Sequence, residues 1–200
     1  METFYARIDQ LDGLDPAART EAERKLCADF EVERAVFVLD LSGFSSHVRR
    51  GGIIPHLRRI RRMQSLTTPL VAHWGGELVK CEADNLLAVF ADPRRAVEAA
   101  LATHDALAAN PGGPAAADRL TASIGIDFGR FLLIPGKDAF GDTVNVAHKL
   151  GEDLAHGAET LVTDEARRRL GDAPDLLVEP VTFSISGLEL AAHRVSRRPG

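Results

Sequence analysis

A chain of 200 residues, 45% apolar and 26% charged, has the length and balance of one globular domain whose core needs no covalent staples. A net charge of −5 excludes a general polyanion binder, because affinity for a phosphate backbone needs a basic surface. Two cysteines, Cys27 and Cys81, offer neither a disulfide framework nor a metal-ligand spacing, and no apolar run approaches the roughly 20 residues of a membrane span.

In chain order, METFYARIDQLDGLD lacks a basic-then-apolar leader, so the expectation is a soluble, cytoplasmic protein with no nucleic-acid or membrane partner. Asp15 as N-cap and Pro16 at the first helical position predict a helix over 15–30, part of a helical extension spanning 1–33 and outside the main domain. AVFVLD (35–40) reads as a buried strand. Apolar residues at 54, 57, 60, 63, 66, 70, 71 and 74 mark one face of a long helix that Pro69 is placed to kink and Gly75-Gly76 to end. Arg58, Arg59, Arg61 and Arg62 lie mostly off that stripe and read as a solvated face.

Two strands near 77–82 and 85–90 follow, joined by a tight turn around Ala83-Asp84. An Ala-rich helix covers 93–109, and ANPGGPAAAD (109–118) is a loop by composition. LTASIGID and RFLLI, 120–127 and 130–134, are predicted to form a hairpin; 142–155 is helical; ETLVTD is a strand, TDEARRRL a short helix, and FSIS with ELAAHRV a last hairpin. Strand, helix, two strands, helix, strand is the split βαβ order of ferredoxin-like α+β folds.

On this layout the segment VKCEADNLLAVF (79–90) stands out, because Lys80, Glu82 and Asp84 interrupt an apolar strand pattern. Asp40 closes the first buried strand and enters the small-residue turn LSGFSS, where backbone N–H groups can approach an anion. Alone, each aspartate is more often a turn residue or a cap. On neighbouring strands the two can converge, and paired carboxylates at a strand edge suit a hard dication that completes its shell with water and substrate phosphate.

DLSGFS (40–45), KCEAD (80–84) and DAFGDTVNVAHKL (138–150) together resemble class III nucleotidyl cyclase catalytic domains in order and approximate spacing. The resemblance covers about 34–196, leaving 197–200 as a tail, and it implies the same ferredoxin-like core. Residue by residue, it implies that Asp40 and Asp84 bind two Mg²⁺ (or Mn²⁺) ions per site. Lys80 and Asp138 read the purine edge, Asn145 orients the ribose and transition state, and Lys149 holds a phosphate. Gly43, Phe44 and Ser45 contact substrate, with Phe44 as an apolar cover. A lysine and a carboxylate match adenine, which presents a ring-nitrogen acceptor and an exocyclic amine; guanine presents the reverse. The implied activity is therefore adenylate cyclase: ATP to 3′,5′-cyclic AMP and pyrophosphate, at sites shared across a homodimer.

Departures from the family pattern point to an alternative. Lys149 stands where the family commonly has arginine, losing bidentate geometry. Ser186 stands at a usual phosphate-binding lysine, with Lys137, Arg49 or Arg50 as substitutes, and Ala83 replaces a glycine. Segment 129–141 is shorter than the arm of many relatives. The alternative is a weak or inactive homologue that binds nucleotide and regulates a partner, with 1–33 as a regulatory contact. A diguanylate cyclase ranks low because its GGDEF-type hairpin is absent, Gly75-Gly76 preceding Glu77-Leu78-Val79, and a ferredoxin-like interaction module without chemistry is a further minor reading. Among seven scattered histidines only His148, next to Lys149, is a candidate for a role, and Glu82 is expected to pair with Lys80.

Overall fold

The computed structural model describes residues 3–42, 52–110, 119–185 and 188–199. Helix α1 (Phe4–Asp9) and α2 (Pro16–Phe30) come first. α2 starts where the Asp15 carboxylate accepts from the Ala17 and Ala18 amides, with Pro16 at its first position. Leu26 is its buried residue, and it packs with Phe4 against Ile134. β1 (Glu31–Leu41) begins inside the segment expected to be helical extension.

Then follow α3 (Ile53–His73), which continues through Pro69, β2 (Glu77–Glu82), β3 (Asn85–Phe90) and α4 (Pro93–Ala109). β4 (Ala122–Ile134), β5 (Asp138–Phe140) and α5 (Asp142–His148) come next. A π-helical segment (Lys149–Leu154), β6 (Thr160–Thr163), α6 (Asp164–Leu170), β7 (Leu176–Ile185) and β8 (Leu188–Arg197) complete the described elements.

The strands form one sheet in the order β2-β3-β1-β4-β6-β8-β7, with β5 paired to β4. β3 lies between β1 and β2, and β1 between β3 and β4, so two split βαβ units interlock, as the element order predicts. β1 is antiparallel to both its neighbours, β6 is parallel to β4, and the β7–β8 hairpin extends the sheet to its far edge, where Pro180 sits in β7.

Alternation explains why AVFVL is apolar without a break. Phe37 and Leu39 face α3 and α4, where Met63, Val71 and Val97 are buried, while Val36 and Val38 face Val144 and Ala147 of α5. A strand covered on both faces shows no polar phase, and each such side chain contributes about 1.5–3 kcal/mol of burial. No described helix is long and apolar enough to cross a membrane.

Two expectations need correction. β4 runs unbroken through Gly129, and its hairpin turn falls later, at 135–137, where Gly136 has φ +67° and the Lys137 amide donates to the Ile134 carbonyl at 3.0 Å. Gly129 is there for space: a Cβ would stand 2.5 Å from Thr143 Oγ1. The predicted helix over 142–155 changes to π-helical at Lys149, where Gly151 presses onto the sheet; a Cβ there would lie 2.8 Å from the Val38 carbonyl oxygen and 3.0 Å from the Gly125 nitrogen. Within the loop expected at 109–118, residues 111–118 lie outside the described residues.

Candidate active site

Asp40 is the next-to-last residue of β1, opposite Asn85 of β3. The Leu41 amide donates to the Asp84 carbonyl at 3.2 Å, which lays the β2–β3 turn alongside the end of β1. Ala83 takes φ +50° in that turn, a left-handed conformation that a glycine would adopt without strain.

The pairing brings the two carboxylates together. The Asp40 carboxyl is pushed up to about 6, first by burial, then by the Asp84 charge, then by Glu152 and Asp153. Among the described residues neither Asp40 nor Asp84 has an ion-pair partner, and no cluster of three or more His, Cys, Asp or Glu side chains could hold a metal. Two unneutralised carboxylates fit a small dication that takes few protein ligands and fills its shell with water and phosphate oxygens, as Mg²⁺ does.

Lys80 reaches the site through a bulge. The register shifts between Leu78, opposite Ala88, and Lys80, opposite Leu87. Its ammonium lies 3.0 Å from Asp138 Oδ1 and 3.2 Å from Glu82 Oε2. The hydrogen bond that Lys80 donates to Asp138 is the first cause holding its ammonium above the usual lysine range, ahead of the opposing effect of burial. Asp138 also accepts from the Ala139 amide at 2.9 Å, which fixes the carboxylate on β5. The expected Lys80–Glu82 pairing is therefore present, and Lys80 pairs with Asp138 as well.

Asn145 is exposed on α5, and Lys149 opens the π-helical segment with its ammonium 2.6 Å from Asp153 Oδ2. Gly43, Phe44, Ser45, Arg49, Arg50 and Ser186 lie outside the described residues. Sequence reasoning missed Asn85 and Glu152. Together with Lys80, Glu82, Leu87 and His148 they line a cavity of about 150 Å³. Their contact spans 67 residues, so no local spacing announced it. A larger cavity, about 310 Å³, lies elsewhere and is lined in part by His104, Leu107 and Leu120.

No family model matches the sequence, and no curated protein sequence matches it. Solved structures do. The adenylyl cyclase CyaB from P. aeruginosa superposes with a TM-score of 0.72 at 16% identity, over 84% of this chain and 97% of that one. The chain has the fold of class III cyclase catalytic domains. An adenylate/guanylate cyclase/hydrolase from Silicibacter pomeroyi gives a TM-score of 0.69 at 24% identity, covering 82% and 96% of the two chains. The guanylate cyclase domain of RhGC from Catenaria anguillulae, in complex with GTP, gives 0.71 at 19%, covering 84% and 99%. The cyclase fold thus accounts for nearly the whole of each neighbour, and the neighbours include both adenylyl and guanylyl cyclases.

Proposed function

We propose that the chain is an adenylate cyclase, converting ATP to 3′,5′-cyclic AMP and pyrophosphate at sites shared by two copies. The observation that carries this reading is the Lys80–Asp138 pair, a donor and an acceptor 3.0 Å apart on the same sheet as the Asp40–Asp84 carboxylates. The ammonium suits a ring-nitrogen acceptor of adenine and the carboxylate suits its exocyclic amine. Cytoplasmic ATP is the substrate this chemistry takes.

In the reaction the ribose 3′ oxygen bonds to the α-phosphorus, the bond from that phosphorus to the β-bridging oxygen breaks, and the hydroxyl proton passes to solvent. Asp40 and Asp84 would hold Mg²⁺ or Mn²⁺, which supplies charge stabilisation for the attacking and leaving oxygens. Lys80 and Asp138 fix the base, Asn145 orients the ribose, and Lys149 meets phosphate as a point charge. By the same resemblance Gly43, Phe44 and Ser45 would contact substrate, with Phe44 as the apolar cover of the metal loop. In a two-fold dimer the aspartates of one copy serve the base reader and asparagine of the other.

One observation favours a second reading, a weak homologue that binds nucleotide and acts on a partner through residues 1–33. Lys149 is already engaged with Asp153 at 2.6 Å, so phosphate has to compete for it. Incubating the pure protein with Mn²⁺ and either ATP or GTP, then quantifying cyclic AMP, cyclic GMP and pyrophosphate, separates the two. Cyclic AMP in excess is expected. Dominant cyclic GMP would overturn the base assignment, and nucleotide binding without product would support the second reading.

A further inference from the structure

We propose that Glu152 is a positioning residue that clamps the hairpin carrying Lys80 and Asp84 to the helix carrying Asn145. The inference deepens the proposed activity and rests on it for the roles of those residues.

A single oxygen makes both connections. Glu152 Oε1 accepts from Asn85 Nδ2 at 2.6 Å and meets His148 Nδ1 at 2.7 Å. Asn85 is the residue after Asp84 and the register partner of Asp40. His148 ends α5, one turn beyond Asn145. Among the described residues the buried Asn85 side-chain carbonyl oxygen has no hydrogen-bond partner, so the hydrogen bond that its amide nitrogen donates to Glu152 is the tether this side chain makes.

The other end of the clamp is fixed by backbone packing. Glu152 follows Gly151, which sits against the carbonyl of Val38, two residues before Asp40. The π-helical geometry of Lys149–Leu154 therefore seats its acidic side chain relative to β1 and not only relative to α5. Through Glu152 the end of β1, the β2–β3 turn and α5 keep one spacing. Two hydrogen bonds to one carboxylate oxygen suit an anchor.

The experiment uses the full chain, with native, Glu152→Ala, Glu152→Gln, Asn85→Ala and combined Glu152→Ala, Asn85→Ala proteins. Amide hydrogen exchange of residues 79–86 is measured without metal or nucleotide, and Mn²⁺ binding is measured by titration without nucleotide. Glu152→Ala is expected to speed exchange in the turn several-fold and weaken Mn²⁺ binding about tenfold, the size of effect typical for a residue that orients a ligand. Asn85→Ala should reproduce the faster exchange, and the double variant should be no worse than either single. Glu152→Gln, whose amide oxygen can accept both bonds, should stay near native on both measures.

Unchanged exchange in Glu152→Ala and Asn85→Ala would overturn the clamp. So would a Glu152→Gln variant that loses Mn²⁺ as fully as Glu152→Ala, since charge and not tethering would then matter. If the native protein binds no Mn²⁺, the proposed activity fails, while the exchange data still decide the clamp.

Discussion

Replacing Asp40 by asparagine should stabilise the protein at pH 8 and do so much less at pH 4.5. The Asp40 carboxyl titrates near 6 in the folded chain, against an ordinary value of 3.8, because burial and the Asp84 charge disfavour its ionised form. The unfolded chain ionises this group more readily than the folded one. The penalty is therefore absent below about pH 3.8, grows as pH rises towards 6 and is complete above it. A gap of this size corresponds at most to about 3 kcal/mol. Asp40 is only half-buried, and solvent screening reduces the figure to about 1 kcal/mol. For a domain of this length that is a rise of about 2–4 °C in Tm at pH 8, and about a third of it at pH 4.5. Asparagine keeps the shape and removes the charge. Thermal melts of native and Asp40→Asn proteins in EDTA at both pH values make the comparison. Mn²⁺ should then stabilise the native protein more than the variant. A variant no more stable than native at pH 8, or one with equal gain at both pH values, would refute the claim that two carboxylates are held together against their repulsion.

Co-expressing Asp40→Ala and Asn145→Ala chains should restore about a quarter of native activity at equal total protein, because random pairing gives half mixed dimers, each with one intact site; no recovery with mixed dimers present would place both residues in one subunit's site. Gly125→Ala should destabilise by about 3 kcal/mol, since a Cβ there would clash with the Ala147 carbonyl oxygen and the Gly151 amide, whereas Gly13→Ala, with open space around it, should melt like native. The His104 imidazole is pushed down to about 4 by burial, against the opposing charge of Asp105, so it is neutral in the fold and takes up a proton on unfolding below about pH 6.5. Stability should fall as pH drops from 6.5 towards 4, and His104→Gln should flatten that fall by about 1–3 kcal/mol in urea titrations.

Much of the fold was legible because its elements carry their periods openly. The 54–74 stripe gives a helix, AVFVL gives a strand covered on both faces, and the element order gives the interlocked βαβ units. Asp40 and Asp84 could be read together because strand ends and a two-residue turn fix where they emerge. What could not be read depends on glycines doing a job unlike the usual one. Gly129 resembles a turn residue in composition, yet it makes room for Thr143. Gly125 and Gly151, far apart in sequence, let the segment after α5 settle onto the sheet, and the π-helical turn and the position of Glu152 follow from that approach. Such close approaches are tertiary facts, without a local period to announce them.

The sheet is open, and its two outer strands are protected in different ways. β7 carries Pro180, which has no N–H to offer a neighbouring chain. β2 carries Lys80 and Glu82, whose charges make it a poor template for adding a foreign strand. Lys80, proposed to recognise the base, thus also guards against self-assembly. An apolar replacement at Lys80 would remove a ligand contact and expose a sticky edge together, so lost activity in such a variant has to be separated from lost solubility. It also narrows what can be exchanged when the nucleotide preference is redesigned: polar replacements on β2 keep the chain monodisperse, and greasy ones invite fibrils.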